Sequence, residues 1–438
     1  MEKYFAVLRL GIRYLYRYRR RYFFLFAALV LGFAVVTFIT SIKDGMYDSV
    51  YYSAQSHYAG DIVAIGYDTD TSWDYSHRLG KKEIAAIFDA ADLSGIAPKH
   101  TVLRTHCGSN AIVHFNGETV LLKNLVGCDW DAESFLFDKM TFNVPPEPFT
   151  GDDCIVLSVP AALKLGAVIG DSVIIEADTR FGQKNTGLFV VKGIVEDNSI
   201  FGYFKGYISR LSLNQLMSYE NDDCSSVGFF FDDPSEAEKK RVLLQERLAG
   251  NVQLGPIVYN RHGLTAERDK PWKGIRVFLY TLPVYLSEIS YLLDAMNLLT
   301  YFLYTMMLLI ILVSAAVTYR LILHERSREM GIMRSIGFNG GDLRIVLWTE
   351  IIVLGIISMI FGFLLALILC WSVSFLSFSW FPGFDIFLKN GRLTAMFLPQ
   401  TMLINVTFLL FVLFLLALAP SFRVSAKKLP ELLSGEAL

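Results

Sequence analysis

Long apolar runs alternate with charged islands along this chain. The runs at 22–40, 298–323, 345–376 and 402–419 each reach the roughly 17–25 residues that carry a helix through a bilayer's hydrocarbon core. Residues 41–297 lose that character and alternate short apolar stretches with turn residues, the pattern of a domain in water. Within them, 62–65 predicts a strand and 81–91 a helix with Ile84, Ile87 and Phe88 on one face. The stretches 112–115 and 119–125 flank Asn116-Gly117, a strong hairpin signal. After a short strand from Cys154, Ser158 reads as an N-cap, Pro160 as first-turn and Gly166 as the stop, and Gly170-Asp171-Ser172 turns the chain into a strand at 173–176. A polar hairpin at 177–187 leads to a partner strand at 188–196, and a short helix follows at 212–217. Ser235-Glu236-Ala237-Glu238 reads as a capping box opening a helix that Gly250 closes. Leu286, Ile289, Leu292, Leu293 and Met296 lie in helical register and predict a helix over 282–297 that runs unbroken into the second apolar run, with a hinge at Pro283 as the other reading. The fold class expected is a membrane protein with four transmembrane helices and a large α+β domain, in two lobes, between helices 1 and 2.

Composition agrees with this division: 53% hydrophobic residues are too many for an ordinary soluble protein, yet 19% are charged. A net charge of -2 and an isoelectric point near 6.4 supply no global field for nucleic acid. Charge placement sets the topology. Lys3, Arg9, Arg13, Arg17, Arg19, Arg20 and Arg21 precede the first run, so the positive-inside rule puts the N-terminus in the cytoplasm. Arg9, Arg13 and Arg17 set against Phe5, Leu8, Ile12 and Leu15 predict an amphipathic helix along the inner face over 1–21. The layout continues with a first transmembrane helix (22–40), an outer α+β domain (41–297), a second helix (298–323), a cytoplasmic loop (324–344), a third helix (345–376), an outer loop (377–401), a fourth helix (402–419) and a cytoplasmic tail (420–438) carrying Arg423, Lys427 and Lys428. Residues 41–44 offer no small-x-small cleavage site, which favours a retained first span over a signal peptide.

The loop between the second and third runs, HERSREMGIMRSIGFNGGDLRIVLWTE, is strongly charged. Arg326, Arg328, Glu329 and Arg334 interleave with Met330, Met333, Ile336 and Gly337 at helical spacing; Gly337 offers a stop, Asn339-Gly340-Gly341 a turn, and Asp342 a cap for the next helix. A short amphipathic helix there either rests among lipid headgroups or docks on another protein. No G-x-x-x-x-G-K-[ST] occurs, so no phosphate-cradling loop of that kind is present, and neither H-E-x-x-H nor G-x-S-x-G is found. Cys107, Cys128, Cys154 and Cys224 fall in the outer domain and leave disulfides open, while His100, His106, Cys107 and His114 match no zinc spacing. Ala28-x-x-x-Gly32 and Gly362-x-x-x-Ala366 permit close helix contact, within the monomer or in a dimer. Glu350 is the main ionisable residue inside a run.

ERSREMGIMRSIG, its following turn and the helix opening near Trp348-Thr349-Glu350 resemble the signature of the FtsX-like permeases, the membrane subunits of ABC transporters of the MacB and LolC/LolE type. The tail from Ala419-Pro420 to Pro430-Glu431-Leu432 resembles that family's ending, and the layout is similar to the lipoprotein-releasing permeases LolC and LolE. The resemblance implies a MacB-like periplasmic core domain, a bacterial inner-membrane location with both termini cytoplasmic, and a non-catalytic subunit. It implies a coupling helix docked on a separate ABC ATPase through Glu325, Arg328, Glu329, Met330, Gly331, Met333, Arg334, Ile336 and Gly337. ATP and magnesium would sit on that partner, with no cofactor bound by this chain, and a second permease subunit, same or homologous, would complete the complex. The expected work is mechanotransmission for lipoprotein release, with a greasy path along Gly32, Phe33, Phe38, Met296, Met306 and Met307. The short 177–187 hairpin departs from the long carrier-recruiting hook of LolC and leaves binding of a periplasmic carrier open. An efflux or peptide-responsive MacB-type permease, or an FtsX-like transmitter controlling a cell-wall hydrolase, are the alternatives.

Overall fold

A computed structural model describes residues 9, 13–69, 76–107, 111–149, 151–196, 202, 204–378, 384, 387–389 and 391–426. Most of the expected helix at 1–21, parts of the 377–401 loop and the tail beyond 426 lie outside the described residues. The chain divides into a helical unit (1–48, 294–377, 392–438) and a sheet unit (49–293, 378–391).

Four long helices, Arg19–Tyr58, Ser287–Glu325, Gly340–Ser374 and Pro399–Ala426, supply the helical unit. Three contain segments long and apolar enough to cross a membrane: Tyr22–Tyr58, Ile289–Glu325 and Gly340–Ser374; the fourth carries a shorter apolar segment, Pro399–Leu415. A helix satisfies its own backbone groups, which is why apolar runs of this length adopt it where water is excluded. Small residues then let the helices close. A Cβ on Gly32 would lie 2.2 Å from Ile311 Cδ1, one on Gly355 2.5 Å from Leu413 Cδ1, and one on Gly362 2.9 Å from the Val30 carbonyl. Gly32 and Gly362 therefore serve contacts inside the subunit. Beyond Thr40 the first helix stays tied within this unit: Asn405 donates to the Thr40 hydroxyl at 3.1 Å, Met396 N–H donates to the Ser41 carbonyl at 2.9 Å, and Asn297 donates to the Tyr47 hydroxyl.

In the sheet unit the strands are β1 (Ile62–Asp68), β2 (Ser76–His77), β3 (His100–Cys107), β4 (Ala111–Phe115), β5 (Glu118–Leu122), β6 (Asn124–Cys128), β7 (Cys154–Ser158), β8 (Ser172–Asp178), β9 (Lys184–Val195), β10 (Lys205–Ser209), β11 (Ser226–Phe230) and β12 (Ile275–Thr281). They join in the order β12-β1-β11-β3-β6-β10-β7-β9-β8-β4-β5, with β2 on β1. β3 belongs to both halves of this path. Residues 100–104 pair with β11 and residues 105–107 with β6, so the sheet changes partner between Arg104 and Thr105. Each half has its own apolar core. Ile62, Ile87, Phe229 and Leu244 lie in one, and Leu122, Leu157, Ile175 and Leu213 in the other, which is the physical content of the two lobes expected.

Several local expectations are corrected. The 119–125 stretch is two strands: β5 ends at Leu122 and Leu125 belongs to β6, because Lys123 N–H turns away to the Phe204 carbonyl at 2.9 Å. Ser158 occupies the N-cap position of Val159–Leu165, but its hydroxyl accepts from Lys205 N–H at 3.1 Å and does not cap the helix. The 235–238 capping box does not form. Asp233 caps a 3₁₀ turn, Pro234–Glu236, and the helix proper is Ala237–Leu248. The helix over 282–297 is broken once: Leu282–Tyr285 is a separate turn opened by Pro283, and the continuous helix begins at Ser287. Cys107, Cys128, Cys154 and Cys224 are buried free thiols, and desolvation pushes those of Cys107 and Cys224 up to about 12, which leaves them inert.

Candidate functional site

Around the charged loop the helical unit buries Arg326, Asp342 and Glu350. That loop folds into the helix Ser327–Ser335, nine residues long, with Arg326 at its N-cap position. Gly337 takes φ +104°, a conformation that lets Phe338 N–H reach back to the Met333 carbonyl at 3.1 Å and end the helix. The next helix is capped by Asn339, not Asp342. The Asn339 side chain accepts from Asp342 N–H at 2.9 Å, and the Asp342 carboxylate accepts from Asn339 N–H at 3.2 Å, a closed capping box. Asn wins the position because it precedes the two glycines, with Asp342 three residues further on.

The helix presents two unlike faces. Met330 and Met333 are buried in the apolar cluster with Tyr22, Leu25, Leu323, Leu343 and Leu347, and Gly331 is buried beside them. Glu325, Arg328, Ile336 and Gly337 are exposed, and Glu329 and Arg334 are half-buried. Ile332, 50% exposed, and Ile336, 71% exposed, put two large apolar side chains on the outer face next to Arg328. The spacing read Ile336 as sharing the methionine face. One further residue of turn carries it round to the other side.

Arg326 is the side chain that ties the loop down. It is 1% exposed, and its Nη1 donates to Glu350 Oε2 at 2.7 Å and to the Tyr22 hydroxyl at 2.9 Å, while Tyr22 donates to the same carboxylate oxygen at 2.6 Å. Its Nε lies 3.4 Å from Glu329 Oε2, and Glu329 Oε1 accepts from the Tyr18 hydroxyl at 2.5 Å. Tyr14 and Tyr18 stack on each other, and the guanidinium lies 4.9 and 5.3 Å from their ring centroids, within cation–π range. One arginine thus links the loop helix to the first and third long helices. Glu350 Oε1 and the Tyr319 hydroxyl are buried nearby and have no hydrogen-bond partner among the described residues. Arg326 was legible only as one charge among several. The available signal was Glu350: a carboxylate in an apolar run requires a buried partner, and the nearest loop arginines were the candidates.

Of the six residues on the expected greasy path, Phe33 is buried in the helical core, Gly32 meets Ile311, Phe38, Met296 and Met307 are half-buried, and Met306 is exposed. Phe33 also lines an apolar crevice of about 430 Å³ with Ile360, Phe363, Met402 and Leu410, between the first, third and fourth long helices. Among the described residues no group of three His, Cys, Asp or Glu side chains is placed to hold a metal.

Residues 301–429, which include the loop helix, Glu350 and the whole of the fourth helix, match the family model of the FtsX-like permease C-terminal region. The match falls on the stretch whose residues carry the permease resemblance. Among solved structures, the periplasmic region of MacB from Actinobacillus actinomycetemcomitans is similar over 54% of this chain and 95% of that one, at 16% identity and a TM-score of 0.30. A domain of a provisionally assigned permease protein from Porphyromonas gingivalis is similar over 50% of this chain and 86% of that one, at 10% identity and a TM-score of 0.25. Scores this low establish neither a shared fold nor a shared function. No curated protein sequence matches the chain.

Proposed function

We propose, from an FtsX-like permease region carrying a loop helix wired to two long helices, that this chain is the membrane subunit of an ABC-type transporter. In this reading it crosses a bacterial inner membrane four times with both termini in the cytoplasm, pairs with a second permease subunit, and relays force from a separate ATPase that holds ATP and magnesium. The observation that carries it is the division of labour in 326–336. Arg328, Ile332 and Ile336 face outward, while Arg326, Met330 and Met333 are anchored inside. An exposed apolar pair beside a cation suits a docking surface better than it suits water. Motion imposed on that face reaches the first and third helices through Arg326, Tyr22 and Glu350, because these groups share one carboxylate oxygen and displacing one of them strains the hydrogen bonds of the others.

Glu329 changes role in this reading. Its carboxylate is engaged by Tyr18 and Arg326 of the same subunit, so it orients the loop helix and leaves ATPase contact to Arg328, Ile332 and Ile336. Lipoprotein release remains the substrate reading, supported by the layout and by the apolar crevice at Phe33, whose walls suit an acyl chain. The test is co-purification from cells. Ile332→Asp combined with Arg328→Glu should reduce recovery of the ATPase about tenfold or more, while the permease stays folded in the membrane. Undiminished recovery and ATP-driven activity would overturn the docking face. Wild-type sorting of lipoproteins in cells depleted of the protein would remove the substrate while leaving the transporter reading in place.

A further inference from the structure

Beside the Arg326 contact, Glu350 Oε1 and the Tyr319 hydroxyl have no hydrogen-bond partner among the described residues, and both side chains are at 0% exposure. Tyr319 lies in the second long helix. It packs in the apolar cluster that holds Tyr22, Leu323, Met330 and Leu347, within electrostatic reach of Glu350, Tyr22 and Arg326. We propose that Glu350 selects between two phenols: it holds Tyr22 of the first helix in the state described here and Tyr319 of the second helix in another state of the same subunit, with Arg326 kept throughout. This exchange rests on the transporter reading and gives its relay a further residue.

The two atoms are complementary. A carboxylate oxygen accepts, and a phenol has a hydrogen to donate. A buried polar group without a partner forfeits its bonds to water and gains nothing in return, so native structures keep few of them and each has a reason. Packing does not supply that reason here. A phenylalanine at 319 would fill the position with the same ring and no buried oxygen, and the first and third helices place Phe33 and Phe363 against the same core. The hydroxyl at 319 therefore points to a bond made in another state.

The exchange costs little because of how Glu350 is held. Tyr22 and Arg326 Nη1 both use Oε2, at 2.6 and 2.7 Å, which leaves Oε1 to a new donor without displacing the arginine. When Tyr22 lets go, its oxygen keeps a donor, since it lies 2.9 Å from Arg326 Nη1. The terminal torsion of a glutamate is broad, so the carboxylate can turn with the backbone still. Only neutral hydroxyls change places, and the buried ion pair, whose rupture would be the costly step, stays closed. The third helix is then fastened to the first in one state and to the second in the other, while the loop helix remains anchored in both.

The full chain, with the ATPase that co-purifies with it, is unfolded thermally in nanodiscs without nucleotide and with a non-hydrolysable ATP analogue. Without nucleotide, Tyr22→Phe should lower the melting temperature by roughly 1–3 °C and Tyr319→Phe should leave it unchanged. With the analogue the order should reverse, and ATP turnover of Tyr319→Phe should fall several-fold while its recovery of the ATPase stays at the parent level. A loss of stability in Tyr319→Phe without nucleotide would show that the hydroxyl is already bonded, through a water, and would overturn the exchange. So would a Tyr319→Phe chain that matches the parent in both conditions. If the parent chain recovers no ATPase at all, the transporter reading itself falls, and the exchange falls with it.

Discussion

Two buried arginine–glutamate pairs, one in each unit, show what surroundings make of the same chemistry. In the sheet unit Arg104 and Glu133 are both fully buried, and the contact is two-pronged: Nε lies 3.1 and 3.0 Å from the two carboxylate oxygens and Nη2 2.5 Å from Oε2. The remaining nitrogen, Nη1, donates to the Ser56 and His57 carbonyls at 2.8 and 3.1 Å, where the last turn of the first helix leaves acceptors unpaired. Every strong group has a partner. In the helical unit Arg326 meets Glu350 through one oxygen, shares it with Tyr22, and leaves Oε1 without a bond among the described residues. A fully satisfied pair fixes one geometry, whereas a pair with an unused acceptor beside an unused phenol can exchange partners. The first is a clamp at the point where β3 changes partner, and the second has the properties of a joint.

The comparison breaks most readily at the clamp. Arg104→Met should destabilise the sheet unit by about 3–5 kcal/mol, because Glu133 is left charged and buried, and much of that loss should be recovered in Arg104→Met/Glu133→Leu. Denaturant unfolding of the full chain in detergent measures both, and a single variant as stable as the parent would show that the pair is no clamp. A smaller effect is expected at the joint. Glu350→Gln keeps the shape and a hydrogen-bonding oxygen but removes the charge, at a cost of about 1.5–3 kcal/mol. It should lower ATP-driven activity while leaving protease resistance of the sheet unit unchanged. Equal losses of stability at both pairs, with activity intact, would erase the distinction.

The smallest effect concerns His106, in β3 close to the clamp, with its Nε2 3.2 Å from the Ser226 hydroxyl. Desolvation, and then the positive charge of Arg104, push its pKa well below the ordinary value. Protonation is therefore favoured in the unfolded chain. Its contribution to stability is complete above about pH 6.5 and falls as pH drops below that, at up to about 1.4 kcal/mol per pH unit until the folded-state pKa is reached. His106→Gln should flatten the pH dependence of unfolding between about pH 6.5 and 5. An unchanged slope would mean that the ring is accessible to solvent and titrates normally.

Local chemistry determined much of this protein from its sequence. The apolar runs, the Asn116-Gly117 hairpin, the Gly166 and Gly337 stops and the short loop helix all follow from interactions within a few residues, and those interactions survive in the fold. Local reading failed where a distant group competed for the same atom. Ser158 gave its hydroxyl to Lys205 in place of its own helix, and Lys123 gave its N–H to Phe204. Tertiary structure alone decided the sites. Tyr22 and Glu350 are 328 positions apart, and Arg104 and Glu133 meet across 29. No periodicity encodes such meetings, because the partner of a buried charge is chosen by which helices and strands close around it, and the cost of leaving it unpaired says only that a partner must exist.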